Sequence, residues 1–229
     1  NTYADMRGVQ FGASGIAAVW AEQNTRESIF AAMKRKETYG TSGNRIKLRF
    51  FAGHSITEED LANPNAVSVL YKKGVPMGGD LLSKTGQEPS FVVWAQKDKN
   101  GAPLQRIQIV KGWYDSDWKR ETREKVYDVV CSDNLKVNPK THRCPDNDAK
   151  VDLNNCSISS NAGSSELKTI WKDPDFDPSM EAVYYVRVLE NPTCRWTTWD
   201  ALRADVEPRE SAPKTIQERA WSSPIWYIP

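Results

Sequence analysis

The chain has 229 residues, 39% of them hydrophobic and 10% aromatic, with nine tryptophans. That content supports a packed core and excludes wholesale disorder, while the length suits one large domain or one domain plus part of another. Thirty-one basic residues balance 30 acidic ones, no basic block exceeds three residues and no apolar run reaches membrane-spanning length, which excludes an electrostatic nucleic-acid footprint and a transmembrane helix.

The chain begins at Asn1 without a methionine or a signal peptide, which reads as a chain whose leader has been removed or, the favoured reading, as a piece of a longer protein. Residues 1–18 carry no strong period and are expected to form a loop. A helix should follow, with Asn24 as N-cap and Glu27 at N3 in a variant capping box. Ile29, Phe30 and Met33 share one face of it, and Lys34, Arg35 and Lys36 crowd its last turn, where positive charge complements the helix dipole. Gly40 and Gly43 are expected to stop the helix. Ile46, Leu48 and Phe50 then alternate with Lys47 and Arg49, the period of a strand with one buried face.

A short helical turn is expected near Thr57–Leu61 with Thr57 as cap, and a strand over Val67–Tyr71. Ser90–Gln96 reads as an apolar strand, followed by a turn containing Asn100-Gly101. Gln105–Trp113 and Glu124–Cys131 read as a hairpin with a charged tip. Ile107, Ile109 and Lys111 share one face of its first strand, and the isoleucines make that face the buried one. Residues 132–163 form a polar insertion, and Glu166–Trp171 a further strand. In Glu181–Glu190 the set Ala182, Tyr184, Val186 and Val188 is the core-facing one. Residues 200–215 read as a charged surface excursion, and a terminal strand is confined to an edge or interrupted by Pro224. Short strands joined by turns predict a mainly β fold, a two-sheet sandwich.

Cys131, Cys144, Cys156 and Cys194 form an even set with no CxxC spacing and only two histidines in the chain. That favours two disulfides and a periplasmic or secreted location over zinc, with four reduced buried cysteines as the competing reading. Three connectivities are open; the polar, turn-rich segment after Cys131 favours Cys131–Cys144 with Cys156–Cys194.

Asp173, Asp175 and Asp177 in DPDFDP have the spacing of a calcium loop, but the required glycine and later bidentate acid are missing, and the prolines fit a rigid turn better. Trp196 and Trp199, beside Arg195 and Asp200, are candidate ligand-binding residues as an aromatic platform, unless they pack beside a disulfide. Trp113 and Trp118 flank the hairpin tip, and Trp118 is the better candidate for an exposed contact. Ser14, Ser222 and Ser223 have no histidine at a telling spacing, which excludes a serine hydrolase.

The helix–turn–strand, MGGD, IQIVKGW, DPDFDP, YYVRVLENPTCRW and ERAWSSPIWY occur in an order that resembles, over essentially all 229 residues, the C-terminal half of bacterial proteins grouped as domain of unknown function 3604. That family is similar to the PHP metal-dependent phosphoesterases. The resemblance implies a β-sandwich preceded by the helix–strand remnant of a PHP-type (β/α) barrel. Residues 1–43 would be the barrel's C-terminal end, and 44–229 the sandwich with a disulfide-linked insertion at 132–163. It also implies a divalent metal cluster, but the family's histidine motifs are absent: His54 and His142 match neither, so the ligands would lie outside this chain, in an N-terminal barrel as partner. Thr41, Ser42 and Arg45 would then stand at the C-terminal end of a barrel strand, where such enzymes build active sites, and become weak catalytic candidates. The expected function is the sandwich portion of a secreted or periplasmic metal-dependent phosphoesterase. The alternative is a non-catalytic carbohydrate-binding or assembly module.

Overall fold

A computed structural model describes residues 11–12, 14–114 and 121–229. Its first elements are β1 (Ile16–Val19), α1 (Arg26–Lys34), β2 (Thr38–Thr41) and β3 (Lys47–Gly53). Then come α2 (Glu58–Ala62), α3 (Ala66–Lys73), β4 (Val75–Pro76), β5 (Asp80–Leu82), β6 (Ser90–Gln96), β7 (Leu104–Tyr114), β8 (Thr122–Cys131) and β9 (Glu166–Trp171). The chain closes with β10 (Ala182–Glu190), β11 (Thr193–Cys194), α4 (Trp196–Arg203), β12 (Thr215–Ile216), β13 (Arg219–Ser222) and β14 (Ile225–Ile228).

Two sheets carry the fold. In the larger, β10 pairs with β7 along one edge, and β7 continues to β8. Along its other edge β10 meets two short strands in succession: β14 beside Ala182–Tyr184 and β13 beside Arg187–Leu189. Beyond β13 lie β2 and β1, and beyond β14 lies β5, the one parallel partner among these pairings. The smaller sheet runs β4-β3-β6-β9, all antiparallel. Its Leu48, Phe50, Phe91 and Val93 share a core with Ile107, Ile109, Tyr184, Val186 and Ile225 of the larger sheet, so the two sheets face one another. The opposite face of the smaller sheet presents Phe51 and Val92, which Ile56, Leu61 and Leu70 cover from the α2–α3 side.

The core-facing sets expected in β3, β7 and β10 are present, with Ala182, Tyr184, Val186 and Val188 all core-facing, and Ser90–Gln96 is the apolar strand expected there. Thr57 caps α2 in a reciprocal capping box with Asp60. Several local expectations need correction. The cap of α1 is Thr25, not Asn24: its side chain accepts from the Ser28 amide at 3.3 Å. The helix ends at Lys34, before either glycine; Lys36, at φ 60°, turns the chain back, and Gly40 lies inside β2. Part of the expected N-terminal loop is β1, paired with β2. Val67–Tyr71 is helical, because Ala66 and Leu70, four apart, turn one stripe onto the sheet. The stretch read as a charged excursion begins within α4. Pro224 sits between β13 and β14, so the terminal strand is divided, and both halves pair with β10. The hairpin tip, including Trp118, lies outside the described residues.

Residues 1–43 contribute β1 and β2 to the larger sheet, where they pair antiparallel with each other and β2 pairs antiparallel with β13. A barrel end would bring parallel pairing, and these strands have none, so the expected barrel remnant is not seen as such. The disulfides are Cys131–Cys144 and Cys156–Cys194, the favoured pairing. The first closes a loop at the end of β8; the second ties the 132–163 insertion to β11. Among the described residues no helix is long and apolar enough to cross a membrane.

Candidate functional site

The turn between β2 and β3 builds one wall of a 520 Å³ pocket. Thr41 is fixed inside that turn: its Oγ1 donates to the Asn44 carbonyl at 2.6 Å and accepts from the Gly43 amide at 3.2 Å. Gly43, at φ 130°, occupies a conformation that side chains disfavour. Ser42 lines the pocket. Its hydroxyl donates to Glu218 Oε2 and accepts from the Arg219 amide at 2.8 Å. The Arg45 backbone amide donates to Asp98 Oδ2 at 2.7 Å, and Arg45 itself is exposed.

The facing wall comes from the β6–β7 turn and the end of β10. Asp98 accepts from the amides of Asn100 and Arg45, and the Asn100 amide leads in holding its carboxyl below the usual range. A register shift between Leu189 and Glu190 interrupts the pairing of β10 with β7 just before its last pair, Glu190 with Leu104, and Glu190 lines the pocket with only 1% of its surface exposed. Gly101 makes room for it: a Cβ there would stand 2.8 Å from Glu190 Oε1. Among the described residues that oxygen and both polar atoms of the Asn44 carboxamide make no hydrogen bond of normal geometry, although the Ala102 amide and the Asn44 carboxamide lie close enough to favour the charged form of Glu190. Burial, followed by the nearby Glu218 charge, pushes the Glu190 carboxyl up to about 7. Cys156, Cys194 and Trp199 complete the lining.

The raised carboxyl has a measurable consequence. Folded Glu190 keeps a proton that the unfolded chain releases near pH 4.5, so its contribution to stability falls as pH rises from there through about 7. In Glu190→Gln that decline is absent. Urea unfolding should show the variant gaining on wild type by on the order of 3 kcal/mol between pH 4.5 and pH 8. A pH-independent difference would refute the assignment.

A larger cleft, of 940 Å³, lies between Trp20, Arg49, Tyr71 and Trp94. Most of its polar groups satisfy one another. Arg49 stacks 3.6 Å from the Trp20 ring centroid, and Tyr71 donates to Glu37, which also meets Arg35 at 3.4 Å. Among the buried side-chain atoms described there, Trp94 Nε1 is left without a hydrogen-bond partner.

The DPDFDP aspartates are fully committed within the chain. Asp173 Oδ2 takes Lys111 Nζ at 2.6 Å and the Tyr184 hydroxyl at 2.8 Å; Asp175 takes Lys125 and Tyr127; Asp177 accepts from the Ser179 amide at 2.8 Å. This is a rigid turn locked to two strands. Among the described residues, no three His, Cys, Asp or Glu side chains converge to hold a metal. The histidines are occupied separately: His54 Nε2 with the Leu82 carbonyl, His142 by its ring against Tyr127.

The candidates drawn from sequence are only partly brought together. Ser42 and Trp199 line the same pocket, as does Ser14. Trp196, one helical turn from Trp199 on α4, donates its Nε1 hydrogen to the Phe11 carbonyl at 2.9 Å. Trp113 lies near the buried Lys111 ammonium, 5.3 Å from ring centroid to Nζ. Ser222 accepts from the Val186 amide, and Ser223 pairs with Thr38. Sequence reasoning missed Glu190, Glu218, Asp98 and Asn44. One signal was there: Glu190 continues the even-numbered, core-facing set of β10, a carboxylate where an apolar side chain belongs.

A family model described as protein of unknown function (DUF3604) matches residues 1–229. Neither a curated protein nor a solved structure matches the chain.

Proposed function

Because the chain belongs to the DUF3604 family, we propose that it is the C-terminal β-sandwich portion of a secreted or periplasmic, PHP-like metal-dependent hydrolase, a phosphoesterase whose metal ligands lie outside residues 1–229. The observation that carries this reading is the bare apolar face of the first elements. Phe30 is 66% exposed and Met33, three residues on, 57%; Ile16 on β1 is 37% exposed. β1 is also the outermost strand on its side of the larger sheet, with no partner beyond it among the described residues. Adjacent large apolar side chains beside an open strand edge mark a surface made to be covered. A preceding barrel of the same protein is the occupant the family resemblance implies.

In this reading residues 1–43 close against the barrel and 44–229 buttress it. Ser42 and Arg45 then border the route by which substrate enters. The two disulfides agree with an oxidising compartment. Bound metal would supply activated water for attack on the ester; the described side chains form no site for it, and their share is limited to shaping access.

Hydrolysis of p-nitrophenyl phosphate and bis(p-nitrophenyl) phosphate tests the reading, using protein from the native source and the 229-residue chain in parallel, each with and without EDTA. The native protein should be about twice the mass of this chain and should turn over at least one ester in a chelator-sensitive way, with the isolated chain inactive. Chelator-resistant turnover by the isolated chain, or an inactive native protein of this chain's own mass, overturns it.

A further inference from the structure

The 520 Å³ pocket holds a charge imbalance that the chain itself leaves open. Glu190, Glu218 and Asp98 line it, and no lysine, arginine or histidine side chain does. Asp98 is satisfied by two backbone amides and Glu218 accepts from Ser42. Glu190 is different: it is almost wholly buried, and among the described residues its Oε1 makes no hydrogen bond of normal geometry. Beside it the Asn44 carboxamide, whose presence favours the charged form of Glu190, also leaves both of its buried polar atoms without a hydrogen bond of normal geometry. A buried polar group without a partner is costly, more so when charged, and two such groups facing one pocket point to something that completes them.

We propose that this pocket binds a small amino alcohol, a primary ammonium with a neighbouring hydroxyl. The ammonium supplies donors for Glu190 Oε1 and Asn44 Oδ1, and its charge offsets Glu190 and Glu218. The hydroxyl oxygen accepts from Asn44 Nδ2. The volume suits ligands up to the size of an open-chain amino sugar alcohol. Trp199, 39% exposed, gives the lining an apolar aromatic surface for the carbon skeleton. A divalent cation fits less well, because the carboxylates do not converge as metal ligands. The inference stands apart from the hydrolase reading: binding is read on this chain without turnover, and either can fail alone.

Calorimetric titration of the 229-residue chain with 2-aminoethanol and with 1-amino-1-deoxyglucitol tests it, using glucitol and N-acetylated 1-amino-1-deoxyglucitol as controls. Both amines should saturate one site, and neither control should. Glu190→Gln, which removes the charge at nearly constant volume, should weaken binding by about 10- to 100-fold, as expected for loss of a charge-assisted hydrogen bond. Asn44→Ala, which leaves the carboxylates in place, should weaken it by about tenfold, and serves if Glu190→Gln does not fold. With Glu218 and Asp98 as the ionisable side chains beside Glu190 among the described lining residues, affinity should rise as pH increases through about 7 and Glu190 ionises. Flat titrations with both amines, equal binding of the controls, or unchanged affinity in a folded variant overturns the proposal. So does calcium binding at this site that excludes the amines.

Discussion

Lys111→Met should destabilise the protein by about 3–5 kcal/mol, the usual cost of removing one partner from a buried ion pair. The Lys111 and Asp173 side chains are 4% and 0% exposed and meet at 2.6 Å between the sheets. Lys111 also donates to the Asp175 carbonyl at 2.7 Å, so one ammonium ties β7 to the DPDFDP turn twice. Without it Asp173 is left as a buried carboxylate that accepts from the Tyr184 hydroxyl and the Asp175 amide but has lost its countercharge. Urea unfolding at neutral pH measures the loss. Lys111→Met combined with Asp173→Asn should recover most of it, because the penalty is that of an uncompensated charge rather than of lost packing. A single-variant loss below about 1 kcal/mol, the range of exposed pairs, would mean the pair is not buried as described.

The second large effect concerns the longer disulfide. Cys156 and Cys194 are 38 residues apart, against 13 for Cys131 and Cys144. On the chain-entropy estimate, removing the first bridge costs about 4 kcal/mol and removing the second about 3 kcal/mol. Cys156→Ala/Cys194→Ala should therefore unfold at the lower denaturant concentration of the two double variants. It should also lose amine binding, since both cysteines line the pocket, whereas Cys131→Ala/Cys144→Ala should retain it. Equal binding by the two variants would show that the insertion holds its place without the bridge.

The sandwich was legible because its long strands alternate cleanly. Ile46, Leu48 and Phe50, and the even-numbered residues of β10, declare a buried face by period alone. Lys111 was legible in the same way, sharing a face with Ile107 and Ile109; its partner was not, because nothing in sequence joins positions 111 and 173. The misreadings follow physical rules. β1 and β2 are four residues each, too short for a period to show. Val67, Val69 and Tyr71 suggested a strand through their branched and aromatic side chains, but packing against the smaller sheet made them helical. The pocket was hidden for a different reason. Ser42 meets Glu218 across 176 residues, and Glu190 and Asp98 arrive on two further turns. Sheet register assembles that wall, and no motif spacing encodes it.

The division of one edge of β10 between β13 and β14 bears on how the protein is made. β14 fills the space between β10 and β5, and Tyr227 and Ile225 belong to the shared core. A nascent chain therefore carries an open gap in mid-sheet until about residue 228 has left the ribosome. Its apolar strands wait, exposed to other chains, until that segment emerges.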